Sequence, residues 1–215
     1  MNDLMITLEL LGTVAFAVSG AVTALRRKMD LFGVCILGLT AAVGGGVIRD
    51  LILGNTPPIT FREPVYALTA IGVSLFVFLK PVRDYLMGNH RVSHLLLLFS
   101  DTLGLAVFTV SGIQVAFSLE RNDSLFLLVF VGVVTGVGGG VLRDMMAGNT
   151  PYIFVKHVYA SAALAGALLC AWLWVPLGPA AAMLAGAGMI ILIRLLSAHY
   201  HWSLPRPDDL PGESG

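Results

Sequence analysis

The chain contains seven long apolar segments joined by short polar connections, and this pattern restricts the possible folds more than any other feature. A helix that crosses a membrane needs about 20 mostly apolar residues. Only 12% of the 215 residues are charged, whereas a soluble domain has about 25%, so much of the apolar surface must face lipid. The sequence therefore predicts an all-α integral membrane protein with seven transmembrane helices. The predicted spans are Leu4–Leu25, Leu31–Leu53, Pro64–Leu79, Leu95–Leu119, Leu125–Ala147, Lys156–Val175 and Gly178–Leu196.

The lysines and arginines outside these spans or close to their ends predict the orientation, because cytoplasmic connections carry an excess of positive charge. One side of the membrane receives only Arg62 and Arg121. The other side receives Arg26, Arg27, Lys28, Lys80, Arg83, Arg91, Lys156, Arg194 and Arg206. We therefore expect the N-terminus outside and the C-terminus in the cytoplasm, with a disordered polar tail at 199–215.

The motif Gly-Gly-Gly-x-x-Arg-Asp occurs twice, at 44–50 and 138–144, and each copy is followed by Gly-Asn-Thr-Pro. Further matching pairs extend over some ninety residues, which indicates a duplication. They include Glu9 with Asp101, Phe16 with Phe108, Ser19 with Ser111, and Val65-Tyr66-Ala67 with Val158-Tyr159-Ala160. A unit of three spans forces the second copy to enter the membrane from the opposite side. The predicted units are an inverted pair of three-helix repeats at 1–90 and 91–176, and a seventh helix at 177–198.

The two glycine triplets are candidate sites of ion passage. Glycine is less favourable than alanine in a helix by about 1 kcal/mol, so a triplet is a point where a span can kink or unwind. Carbonyl groups freed in this way must face protein or water, and they can coordinate a monovalent cation. The alternative is close helix packing through small residues. The residues concerned are Gly44, Gly45, Gly46, Gly138, Gly139 and Gly140.

Six charged residues inside the spans are candidate pore-mouth or gating groups, because intramembrane charges face a partner or a water-filled cavity. They are Arg49, Asp50, Arg143, Asp144, Glu9 and Asp101. Since sequence neighbours point in different directions on a helix, each charge is expected to pair with a group on another helix. A structural network of ion pairs is an equally good interpretation. Ser19 and Ser111 supply hydroxyl groups nearby, and helix packing is their expected role.

Other chemistry finds no support in the sequence. There is no arrangement of nucleophile and base, no phosphate-binding loop and no ligand spacing typical of a metal centre, so we expect neither an enzyme nor a cofactor. The net charge of zero gives no indication of nucleic-acid binding. The two Gly-Asn-Thr-Pro segments are typical of helix ends, where glycine closes the helix and proline prevents its continuation.

Two copies of Gly-Gly-Gly-x-x-Arg-Asp in a seven-span chain resemble the prokaryotic trimeric intracellular cation (TRIC) channels. The resemblance covers the chain to about Leu196. It implies a homotrimer in a bacterial inner membrane, in contact with membrane lipids, with a pore for K⁺ and Na⁺ in each subunit. That pore would run between the second and fifth helices, kinked at the two glycine triplets. Animal members carry a Lys-Glu-Val segment associated with lipid and gating, whereas this chain has Phe61-Arg62-Glu63-Pro64-Val65, which puts such regulation in doubt.

Bacterial sequences with the same duplicated domain are also described as glycine uptake proteins. The alternative function is therefore a secondary transporter for a small amino acid such as glycine, with the same kinks forming a substrate site near the middle of the membrane.

Overall fold

The computed structural model describes residues 3–121, 124–155 and 158–200, and this part of the chain forms ten α-helices and no strand. The helices are α1 (Asp3–Arg26), α2 (Leu31–Ile52), α3 (Ile59–Arg62), α4 (Val65–Phe78), α5 (Lys80–Gly88), α6 (His90–Ser118), α7 (Leu125–Met146), α8 (Tyr152–Val155), α9 (Tyr159–Leu177) and α10 (Pro179–Tyr200). Six of them, α1, α2, α6, α7, α9 and α10, are long and apolar enough to cross a membrane. The predicted all-helical membrane protein is confirmed.

The third predicted span, Pro64–Leu79, corresponds to the short helix α4, and the chain turns sharply where this helix ends. Helix α4 has only 14 residues, a length of about 21 Å at 1.5 Å per residue, and the axis of α5 turns away from it by 68°. The break lies at Leu79, whose ψ of 135° is extended, and Pro81 follows within the first turn of α5. Counting the bent pair as one span gives seven spans, and leaving it out gives six.

Several predicted boundaries need correction. Helix α6 begins at His90 rather than Leu95, because the Asn89 side chain caps it by accepting a hydrogen bond from the Val92 amide. Helix α9 begins at Tyr159, and Lys156 of the predicted sixth span lies outside the described residues. Helix α10 continues to Tyr200, so the first two residues of the predicted tail are helical. Residues 201–215 of that tail lie outside the described residues.

Both glycine–asparagine segments end their helices as predicted. Gly54 and Gly148 have φ values of 73° and 66°, a region that glycine enters without steric cost. The amide of Asn55 donates to the Asp50 carbonyl at 2.8 Å, and the amide of Asn149 donates to the Asp144 carbonyl at 2.8 Å. Together with the glycine amides these bonds complete a Schellman motif, which fixes the direction of the chain after α2 and after α7.

The glycine triplets lie within unbroken helices. Both α2 and α7 remain α-helical through all three glycines, so the expected unwinding does not occur in this structure. A Cβ at Gly45 would overlap the Thr135 carbonyl, and one at Gly139 would overlap the Ala41 carbonyl. The middle glycines therefore let the two backbones touch, as the packing alternative requires. These paired contacts also show that α2 and α7 run antiparallel.

Equivalent helices of the two repeats pack in equivalent ways. A Cβ at Gly20 on α1 would lie 2.7 Å from the Gly38 Cα on α2. Correspondingly, a Cβ at Gly112 on α6 would lie 3.0 Å from the Gly132 Cα on α7. Each repeat thus joins its first two helices through facing glycines.

The outer surface of the bundle is apolar. Many large apolar side chains of the described helices are exposed. Four examples are Phe32 (73% exposed), Phe126 (78%), Trp172 (74%) and Val175 (86%). A soluble monomer rarely exposes contiguous apolar surface on this scale. The described bundle is therefore built to be surrounded by lipid or by other apolar surfaces.

Candidate functional site

The buried charged residues form two clusters, one associated with each repeat. The Glu9 cluster consists of Glu9, Arg49, Asp50, Tyr66 and Ser111. The Asp101 cluster consists of Asp101, Arg143, Asp144, Tyr159, Ser19 and Arg194. All six charged residues predicted from the sequence belong to one cluster or the other.

Glu9 is the acceptor at the centre of the first cluster and is 4% exposed. Tyr66 donates its hydroxyl hydrogen to Glu9 Oε2 at 2.7 Å, and Ser111 donates to Oε1 at 2.8 Å. The Arg49 Nη1 lies 3.6 Å from the same Oε1. Four helices, α1, α2, α4 and α6, therefore converge on one carboxylate.

Asp101 has the corresponding position in the second cluster and is fully buried. Arg143 Nη1 lies 2.6 Å from Asp101 Oδ1, and the Tyr159 hydroxyl donates to the same oxygen at 3.4 Å. Arg194 of α10 approaches the other carboxylate oxygen, with Nη2 3.8 Å from Oδ2. The predicted pairing of these arginines with groups on other helices is confirmed in both clusters.

The expectation that Arg and Asp of the motif point apart was wrong. Arg49 Nε donates to Asp50 Oδ1 at 2.8 Å, and Arg143 Nε donates to Asp144 Oδ1 at 2.8 Å. The long arginine side chain folds back along the helix and reaches its neighbour. Each aspartate uses its second oxygen to accept an amide at the start of a short helix, from Ile59 in α3 at 2.7 Å and from Tyr152 in α8 at 3.0 Å.

Ser19 and Ser111 link the repeats through hydrogen bonds, which goes beyond their expected packing role. Ser111 of the second repeat donates to Glu9 of the first. Ser19 of the first repeat accepts a hydrogen bond from Arg143 of the second. Because Glu9 meets Ser111 while Ser19 meets the Asp101 region, α1 and α6 run antiparallel. The two clusters consequently lie toward opposite ends of the bundle, here named the Asp50 end and the Asp144 end.

The third glycine of each triplet leaves room for the charged cluster beside it. A Cβ at Gly46 would find Arg49 Nη2 as its nearest neighbour, at 3.7 Å. A Cβ at Gly140 would lie 2.9 Å from the Tyr159 hydroxyl oxygen and 3.7 Å from Asp101 Oδ1. Each triplet therefore combines a helix-crossing glycine with a glycine that faces buried charge.

Two stacked phenylalanines lie between the clusters. The ring centroids of Phe16 and Phe108 are 5.4 Å apart, and both side chains are buried. Phe16 packs against Gly104, where a Cβ would lie 2.5 Å from its Cε1, and Phe108 packs against Gly12, where a Cβ would lie 3.2 Å from its Cε2. This matched pair forms an apolar layer between the two clusters.

A cavity opens beside each cluster. The smaller one, of about 20 Å³, is lined by Glu9, Gly46, Arg49, Tyr66 and Phe108 among others, which is space for roughly one water molecule. The larger one, at the Asp144 end, has a volume of about 480 Å³. Its lining consists of Thr23, Arg26, Arg27, Leu97, Asp144, Asn149, Thr150 and Tyr152. The two cavities share no lining residue, and Phe108 of the phenylalanine layer lines the smaller one.

Tyr152 covers the Asp101 cluster on the side of the larger cavity. The Arg143 guanidinium carbon lies 5.2 Å from the centroid of its ring. Burial raises the pKa of the Tyr152 phenol, so this side chain remains a neutral, amphipathic cover over the arginine.

Three cluster members were missed as site residues. Tyr66 and Tyr159 belong to the repeated Val-Tyr-Ala segment, and an intramembrane hydroxyl conserved between two copies was a usable signal. Arg194 lies within the predicted seventh span and enters the prediction only through its positive charge, yet it is 3% exposed within α10. An arginine inside an apolar segment is itself a signal for a buried partner.

Comparison with known proteins places the chain in a family. A family model described as "Glycine transporter" matches residues 6–81 and 98–175. The UPF0126 membrane protein of Deinococcus radiodurans is 38% identical over 218 residues, covering 95% of this chain and 97% of the relative. The UPF0126 inner membrane protein YadS of Escherichia coli K12 is 37% identical over 202 residues, covering 92% of this chain and 93% of the relative.

A solved structure shares the fold. The crystal structure of the trimeric intracellular cation channel (TRIC) orthologue from Rhodobacter sphaeroides matches with a TM-score of 0.82 at 34% identity, covering 94% of this chain and 100% of that chain. The sequence resemblance is thereby confirmed. The chain belongs to the "Glycine transporter" family, that of the UPF0126 membrane proteins and the prokaryotic TRIC channels.

Proposed function

We propose that the protein is a monovalent cation channel that conducts K⁺ and Na⁺ through a pore in each subunit. The observation that carries this proposal is the pair of buried charged clusters on either side of the α2–α7 crossing, each beside a cavity. A chain that only needed helix packing would have no reason to bury ten polar groups in matched positions, because buried ion pairs are weak contributors to stability.

The proposed path enters at the Asp50 end, passes between α2 and α7, and leaves at the Asp144 end. In the Glu9 cluster one guanidinium, Arg49, faces two carboxylates, Glu9 and Asp50. This excess of negative charge attracts a cation into the small cavity, where the Tyr66 and Gly46 surfaces also contribute to the lining. Charged groups lining a narrow path set both ion attraction and selectivity.

This structure corresponds to a closed state of the proposed channel. Phe108, which stacks on Phe16, lines the cavity beside Glu9, and both triplets remain helical. Opening requires the phenylalanine rings to separate and α2 and α7 to bend at Gly44–Gly46 and Gly138–Gly140. Bending frees carbonyl oxygens at the third glycines, next to the charged clusters, where they replace part of the hydration shell of the ion.

The remaining elements of the proposal concern assembly and placement. We propose a homotrimer in the bacterial inner membrane, two inverted three-helix repeats (1–90 and 91–176) followed by a seventh helix, and an outside N-terminus. The exposed apolar side chains described above supply the surface for lipid and for neighbouring subunits. With this orientation the Asp50 end faces outward and the Asp144 end faces the cytoplasm.

The second candidate function is a secondary transporter for a small amino acid such as glycine. The description of the family model favours it. The larger cavity offers both charges that a zwitterion needs, since Arg26 and Arg27 line it together with Asp144. In this alternative the same two ends open alternately rather than together.

Ion flux through Glu9→Gln distinguishes these possibilities. Purified protein is reconstituted into liposomes loaded with a K⁺-sensitive dye, and K⁺ entry and uptake of labelled glycine are both measured. The channel proposal predicts K⁺ entry in the wild type and a severalfold slower entry in Glu9→Gln, because the net negative charge of its cluster is lost. Glu63→Gln is the matched control, since Glu63 is exposed near the same end.

Unchanged K⁺ entry in Glu9→Gln would contradict the proposed path. Saturable glycine uptake without K⁺ entry would favour the transporter instead.

A further inference from the structure

Helix α10 lies outside the two repeats and adds a side chain to only one of the two clusters. Arg194 is 3% exposed, and its guanidinium carbon lies 4.8 Å from the centroid of the Tyr159 ring. In the Asp101 cluster two guanidinium groups therefore face Asp101 and Asp144. Among the described residues the Glu9 cluster has a single guanidinium for its two carboxylates. The two clusters thus have equivalent residues but a different balance of positive and negative charge.

Arg194 is held near Asp101 by charge and by an aromatic face rather than by directional bonds. Its Nη2 is 3.8 Å from Asp101 Oδ2, which is longer than a hydrogen bond. Within the described part of the chain, Arg194 Nε, Arg194 Nη2 and Asp101 Oδ2 have no hydrogen-bond partner. By contrast, Arg143 reaches the other oxygen of Asp101 at 2.6 Å. One oxygen of Asp101 is therefore available to any cation that takes the place of the Arg194 guanidinium.

We propose that the Arg194 guanidinium acts as a tethered cation beside Asp101. It occupies there the position that a permeating cation would take beside Glu9 in the other cluster. This inference rests on the proposed channel function. While Arg194 stays in place, the Asp101 cluster has no excess negative charge, so it attracts no cation from the larger cavity. A K⁺ ion that reaches Asp101 must also pass close to a second positive charge, which repels it strongly at short range in a protein environment. Arg194 thereby sets the conductance at the Asp144 end.

Single-channel recording of Arg194→Gln tests this role. Removing the charge gives the Asp101 cluster the same balance as the Glu9 cluster, and we expect the unitary K⁺ conductance to rise by about tenfold. Arg194→Lys keeps a positive charge and is expected to retain wild-type conductance. Arg91→Gln is the matched control, because Arg91 is exposed at the start of α6, the helix that contains Asp101, and its loss should leave the conductance unchanged.

The outcomes separate this inference from the proposed function. A conducting wild type whose conductance equals that of Arg194→Gln overturns the role of Arg194 and leaves the channel intact. A wild type without unitary currents overturns the channel itself. If Arg194→Gln does not assemble, Arg194→Met removes the same positive charge and keeps a long side chain that can pack against the Tyr159 ring. Conductance above the wild type supports the proposal. Conductance at or below it, or failure of both variants to assemble, shows a structural ion-pair role and overturns the proposal.

Discussion

Gly45 and Gly46 are adjacent in α2, yet the structure predicts opposite consequences for their replacement by alanine. A Cβ at position 45 would overlap the backbone carbonyl of Thr135, whereas at position 46 the nearest atom, Arg49 Nη2, is 3.7 Å away. A carbonyl in a facing helix cannot move aside without shifting α7. A guanidinium at normal contact distance needs no movement.

The two substitutions should therefore differ measurably in stability. Overpacking at a tight site costs about 1 to 3 kcal/mol, which corresponds to a loss of roughly 2 to 12 °C in midpoint for a chain of this size. Alanine at position 46 is sterically free and gains up to about 1 kcal/mol of helix propensity. We expect Gly45→Ala to lower the melting midpoint and Gly46→Ala to leave it unchanged or raise it slightly.

The assay is the fraction of detergent-solubilised protein that remains monodisperse after heating, measured by size-exclusion chromatography. Gly139→Ala should behave like Gly45→Ala, because its Cβ would overlap the Ala41 carbonyl. Equal midpoints for Gly45→Ala and Gly46→Ala would refute the reasoning that the middle glycine is the crossing point. Because Gly46→Ala is expected to fold, its ion flux tests the proposed bending of α2 separately from stability. The channel proposal predicts reduced flux in this variant.

Three further substitutions test other parts of the site. Ser111→Ala removes the 2.8 Å hydrogen bond to Glu9 that joins the repeats, and we expect thermal denaturation to show a loss of about 1 to 2 kcal/mol in stability. An unchanged melting midpoint would mean that this bond contributes nothing. Asp50→Asn weakens the acceptor for both Arg49 and the Ile59 amide, so limited proteolysis should cut the 53–64 connection faster than in the wild type. Equal cutting rates would argue against this anchoring role. Phe108→Ala removes one of the two stacked rings and should raise the resting K⁺ leak of proteoliposomes, whereas a leak equal to that of the wild type would remove the phenylalanine layer from the path.

The sequence was most informative where the duplication supplied two independent views of one feature. Glu9 and Asp101 matched across the repeats, and the structure brings each to an arginine of the corresponding motif. The glycine–asparagine helix ends were predictable because only a residue tolerant of positive φ closes a helix in this way. These features depend on local chemistry, which a single sequence contains.

Features that depend on contacts between helices were predicted less well. The triplets stay helical because α2 approaches α7 closely at Gly45 and Gly139, and this packing compensates for the poor helix propensity of glycine. The spacing of residues in the sequence does not show such an approach. The break at Leu79 has a local signal in Pro81, which lacks an amide donor, but that residue alone does not predict the 68° turn between α4 and α5. Arg194 has no counterpart in either repeat, so the duplication gave no information about its partner.

Recording from purified wild-type protein in a planar bilayer, with a KCl gradient across the membrane, tests the central claim most directly. A pore that attracts cations through Glu9 predicts discrete unitary current steps whose reversal potential shifts toward the K⁺ equilibrium potential. Silent membranes containing correctly folded protein, or steps that reverse toward the Cl⁻ equilibrium potential, would contradict a cation channel.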